Sequence, residues 1–171
     1  MKKIVFYLFL FFIVGLNGCI KNTLVTWHGS QVEFDAATWN ANAAGLTYPI
    51  VSRVPVYGAT INTTNSPTLI TRTTASLKLR VNLVGAHQSS DQMFNYHVVA
   101  GESTAVQGTH YAALSGTGTI PADSSFGYVT VNILDPGPSS GSKILVLELT
   151  NNNALEANFN YAKIGLSIAQ N

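Results

Sequence analysis

Charge is scarce in this chain. Asp, Glu, Lys and Arg make up 10% of its 171 residues, against about 25% in an ordinary globular protein. Nine basic residues face eight acidic ones, and without Lys2 and Lys3 the balance is seven to eight. No basic stripe is present, which removes the electrostatic basis for a nucleic acid or an anionic membrane surface as partner. Cysteine is scarcer still. Cys19 stands alone, so no internal disulfide can form and the fold must rest on its core. Long apolar runs are also missing. The longest unbroken one, residues 4–14, falls well short of the ~20 residues of a membrane-spanning helix. No segment sustains a 3.6-residue period, which argues against a helical fold.

What is there points elsewhere. Apolar residues account for 46% of the chain, enough for one well-packed core. Thr, Ser and Asn fill the polar positions, a composition suited to a β-rich, extracytoplasmic protein with a neutral hydrogen-bonding surface. The first residues, MKKIVFYLFLFFIVGLNG, run from two lysines through an apolar stretch to small and polar residues, the order of a secretory signal. Its end, Leu16-Asn17-Gly18-Cys19, resembles the bacterial lipobox. That resemblance implies cleavage before Cys19 and a diacylglycerol thioether on its sulfur. The residues that follow, Ile20, Lys21 and Asn22, include no aspartate and start no acidic cluster. An outer-membrane anchor is therefore expected, with the surface and periplasmic faces both open. The expected organisation is a signal peptide at 1–18, an acylated cysteine and tether at 19–30, and one domain at 31–171.

Beyond the tether, period-2 alternation recurs. In SLKLRVNLV, Leu77, Leu79, Val81 and Leu83 share one face, while Lys78, Arg80 and Asn82 share the other. FNYHVV, GYVTVNI and YAKIGLSI alternate likewise, and KILVLEL is apolar on both faces, as a central strand would be. Further strands are expected at QVEF (31–34), around 49–57 and at TLITR (68–72). Turn signals separate these runs, among them Gly85, Gly101, Gly116, Pro136-Gly137-Pro138 and Asn151-Asn152-Asn153. AATWNANAAG reads as a short helical turn ending at Gly45. The pattern predicts an all-β fold, an antiparallel immunoglobulin-like β-sandwich of seven or eight short strands.

Over residues 75–152 the order of features resembles the Calx-beta domain. The matching pieces are SLKLRVNL, FNYHVV, Thr104-Ala105-Val106-Gln107-Gly108-Thr109-His110-Tyr111, Gly118-Thr119-Ile120-Pro121-Ala122, YVTVNILDP and KILVLELTNN. The phrases STAVQGTHY, IPADSS and LVGA resemble a Bacteroidetes-type lipoprotein family that pairs a lipobox with a Calx-beta-like domain of unassigned function. The resemblance implies the sandwich. It also implies that Tyr111 packs in the core, that Gly108 makes a turn and that Asp135 bonds its loop backbone. Calcium-binding members place several acidic side chains at their loop ends, because a hard cation needs several oxygens. Here the family's loop aspartate falls at His110, and Asp135 is followed by Pro136. One carboxylate is too few, so no metal or other cofactor is expected.

The four histidines, His28, His87, His97 and His110, show no metal-ligand spacing. No Gly-x-Ser-x-Gly elbow is present, nothing marks a pair of catalytic carboxylates, and GTGT at 116–119 lacks the lysine of a phosphate loop. The expectation is therefore a protein that is not an enzyme. Trp27 and Trp39 are the candidate ligand contacts, because exposed aromatic faces stack on sugar rings. The competing expectation is that both cover the end of the sandwich as core. The function read from the sequence is a non-catalytic interaction or adhesion module, held at the envelope by lipid on Cys19. Two alternatives stand beside it: a carbohydrate-binding accessory of a polysaccharide-uptake system, and a structural or assembly lipoprotein contributing an edge strand to an envelope partner.

Overall fold

A computed structural model describes residues 29–171. The signal, Cys19, Trp27 and His28 lie outside the described residues. Among the described residues nine strands and one short α-helix follow in order: β1 (Gln31–Phe34), α1 (Asp35–Trp39), β2 (Ile50–Val51), β3 (Ser76–Val84), β4 (Gln92–Val98), β5 (Thr117–Ile120), β6 (Phe126–Asn132), β7 (Ser142–Thr150), β8 (Glu156–Ala157) and β9 (Lys163–Ala169), with a single 3-10 turn (Ala100–Glu102) between β4 and β5. They form two sheets, ordered β6-β3-β1-β8 and β2-β9-β7-β4-β5. The expected sandwich is present.

Alternation decides which faces meet. Leu77, Leu79, Val81 and Leu83 of β3 are buried, and Lys78 between them is exposed. Across the core stand Phe94 and Tyr96 of β4, Leu145, Leu147 and Leu149 of β7, and Ile164, Leu166 and Ile168 of β9. As expected for a strand apolar on both faces, β7 is central, paired antiparallel to β4 and β9. Tyr111 is buried and Gly108 has φ 81°, as the resemblance implied.

The long strands pair antiparallel, but two short ones do not. β8 runs parallel to β1, and β2 parallel to β9. Parallel neighbours need a long crossover between them, and both pairs join segments far apart in the chain. The expected strand around 49–57 shrinks to Ile50–Val51. TLITR is an irregular segment that touches β9 through a single bridge, Thr71 to Ala169, and pairs Leu69 with Arg53 outside the strands. The helical turn falls earlier than AATWNANAAG suggests. It ends at Trp39, because Asn40 is extended and its amide caps the turn by donating to the Ala36 carbonyl (2.7 Å).

Candidate functional site

Where the chain passes between the sheets at β8 and β9, the surface opens into a groove of about 940 Å³. One wall is the end of α1 and the loop after it, with Thr38, Asn40, Asn42 and Thr47. The floor is the end of β7, with Glu148 and Asn151. The other wall is the β8–β9 connection, with Phe159, Asn160, Tyr161 and Lys163. A shallower recess of about 410 Å³ shares Asn40 and Ala41 with it.

The β8–β9 connection is a fastened turn. The Tyr161 amide donates to the Asn158 carbonyl (2.9 Å), closing residues 158–161. The Asn158 side chain accepts from the Asn160 amide (3.2 Å) and donates to Glu33 (2.8 Å). Asparagine suits this role because its side chain bonds the backbone two residues on. The backbone is pinned to β1 at both ends: the Asn158 amide donates to the Val32 carbonyl (2.9 Å) and the Phe34 amide to the Tyr161 carbonyl (3.0 Å). On top of this turn Phe159 is 97% exposed.

The charges at the groove belong to a network on β7 and β9. Glu148 and Lys163 face each other across the strands, with Nζ 3.9 Å from one carboxylate oxygen. The same ammonium lies 3.1 Å from Glu102 and over the Tyr48 ring at 5.3 Å. Burial first, then contact with the Glu102 carboxylate, pushes the Tyr48 phenol up to about 12, so it stays protonated. Its hydrogen bond, with that of Lys163, holds the Glu102 carboxyl below the usual range. Glu148 also lies 3.7 Å from His97 Nε2. Tyr48 and Ile50 pack over Gly165, where a Cβ would come within 2.9 Å of Ile50 Cγ1.

These groups can hold a ligand by stacking and hydrogen bonding. The Thr38 hydroxyl is already engaged, donating to the Asp35 carbonyl (2.8 Å), and no imidazole lines the groove. Of the sequence candidates, Trp39 is 49% exposed and is not among the side chains that line the groove. It does not cover the sandwich end as core. Cys19 and Trp27 lie outside the described residues. Phe159, Tyr161 and Asn160 were not singled out from the sequence; the available signal was an aromatic set between two asparagines, Asn158-Phe159-Asn160.

The loop end implicated by the Calx-beta resemblance is closed by an internal cation. Arg72 donates both its hydrogen bonds to Asp135 through Nη1 (2.5 and 2.7 Å), and the Gly137 amide donates a third (2.9 Å). The Arg72 bond, then that of Gly137, lowers the Asp135 carboxyl pKa below its ordinary value. His110 is buried and its Nδ1 accepts from the Val106 amide (2.9 Å). Among the described residues, no three His, Cys, Asp or Glu side chains converge as metal ligands.

No protein-family model and no curated protein matches the chain. Among solved structures, the chain is similar to the apo form of the Calx CBD1 domain. The TM-score is 0.53 at 10% identity, covering 82% of this chain and 98% of that one. It is also similar to the calcium binding domain CBD12 of CALX1.1. There the TM-score is 0.50 at 14% identity, covering 58% of this chain and 40% of that one. The fold is Calx-beta-like. A conjectured carbohydrate binding protein of Bacteroides ovatus overlaps more loosely. Its TM-score is 0.48 at 11% identity, over 82% of this chain and 37% of that one, and this overlap carries no weight for ligand.

Proposed function

We propose that the protein is a non-catalytic binding module, anchored in the outer membrane by lipid on Cys19 and offering the groove beside Phe159 to a ligand. The observation that carries this reading is Phe159 itself. A nearly fully exposed ring on a turn fixed by five hydrogen bonds gains nothing for the fold, yet is pre-organised for contact. The anchor follows from the lipobox-like Leu16-Asn17-Gly18-Cys19. The tether enters at Gly29, before β1, whereas the Phe159 turn abuts Phe34 at the far end of β1. Four residues of strand separate them by roughly 13 Å.

Site-directed photocrosslinking in intact cells tests this. A benzophenone side chain at position 160 should give a discrete adduct, and the same probe at the exposed Val106 should give none. Equal yields at both positions would contradict the reading.

A further inference from the structure

We propose that the groove binds a neutral saccharide chain, with a pyranose face stacked on Phe159 and its hydroxyls bonded by the groove amides. The inference rests on the binding-module reading above. Several observations converge on this class. The site is a partly open groove, and Phe159, one of the residues that line it, is 97% exposed. An apolar peptide anchor needs a desolvated pocket to enter; a sugar needs only a flat π-face, whose negative centre attracts the polarised C–H groups of a pyranose. Asn40, Asn42, Asn151 and Asn160 line the trough; the Asn40 amide is already committed, donating to the Ala36 carbonyl (2.7 Å) and accepting from the Ile61 amide (3.0 Å), which leaves the amides of Asn42, Asn151 and Asn160 to offer. Each amide carries both donor and acceptor capacity, matching a hydroxyl, which also does both. Asn151 already accepts from the Ala157 amide (2.8 Å) through its oxygen, which leaves its NH₂ as the group it offers.

The charge at the trough disfavours an anionic ligand. Glu148 and Lys163 are the acidic and basic groups that line it, one of each, and they face one another across the sheet. Lys163 lies between two carboxylates, Glu148 and Glu102, so an anionic chain meets no uncompensated cation there. A neutral polyol can accept from the ammonium and donate to the carboxylate at once.

Affinity electrophoresis of the detergent-solubilised lipoprotein tests the proposal, using gels containing dextran, mannan, a soluble β-glucan or polygalacturonate. At least one neutral polymer should retard the protein. Phe159→Ala should weaken that retardation about tenfold, the scale of an anchoring aromatic, while Val106→Ala should leave it unchanged. No retardation by any neutral polymer, retardation by polygalacturonate alone, or equal effects of the two substitutions would overturn it. The crosslink at position 160 separates the two levels. If it yields a protein adduct and no polymer binds, the saccharide proposal falls and the binding module stands. If neither occurs, both fall.

Discussion

Phe159 and Phe34 carry the same side chain in opposite surroundings, 97% and 0% exposed. Truncating Phe34 to Ala leaves a cavity in the core and should cost about 3–5 kcal/mol. Phe159→Ala removes nothing buried and should change stability by less than about 0.5 kcal/mol. Urea unfolding of the two variants checks the contrast, which separates a folding role from a binding role. Glu33 makes a second case at this scale. Burial, opposed by the Asn158 hydrogen bond, raises its carboxyl above the ordinary value of 4.5. The folded state then holds this proton more tightly than the unfolded chain. Glu33 thus contributes most stability below 4.5, and the contribution is lost as pH rises through the raised value. Glu33→Gln, which still accepts from Asn158, should raise the melting temperature at neutral pH and remove this part of the pH dependence in thermal melts. Single residues were the hardest features to read in advance. Trp39 is a large apolar side chain, and only the short helix that ends on it puts half its surface in water. The exposure of Phe159 depends on bonds from Asn158 to Glu33 and Val32, more than a hundred residues away in sequence.

At the scale of elements, the sandwich layers meet closely at β5 and β6. A Cβ on Gly127 would sit 2.2 Å from the Thr119 carbonyl oxygen, a backbone atom that cannot swing aside. Gly127→Ala should therefore destabilise by at least about 1–3 kcal/mol, the usual cost of overpacking, read from the denaturation midpoint. The long strands were legible because alternation is a local property: β3, β4, β6, β7 and β9 all fall on expected runs. β2 falls within the strand expected around 49–57 but is cut to two residues; β8, also two residues, carries no period to read, and both pair in parallel with strands at the other end of the chain. β5, TGTI, is too short and too glycine-rich to announce itself. Asp135 was visible as a loop carboxylate, but its Arg72 partner was not, because only the fold brings residues 63 apart in sequence into contact.

For the whole molecule, the proposal is a lipid anchor on Cys19 and a ligand groove beside Phe159. At the anchor, Cys19→Ala should abolish labelled fatty-acid incorporation, whereas Val106→Ala should incorporate normally. The sandwich was legible from alternation and turn spacing. The groove was not, since it forms where α1, β7 and the β8–β9 turn converge from three separate stretches of sequence. The most direct test of the groove is ¹⁹F NMR of the protein carrying 4-fluorophenylalanine at position 159, titrated with the cell-envelope polysaccharide fraction. The account predicts that this resonance shifts or broadens as ligand is added, while the same label at buried position 34 stays put. A resonance at 159 that never moves would contradict it.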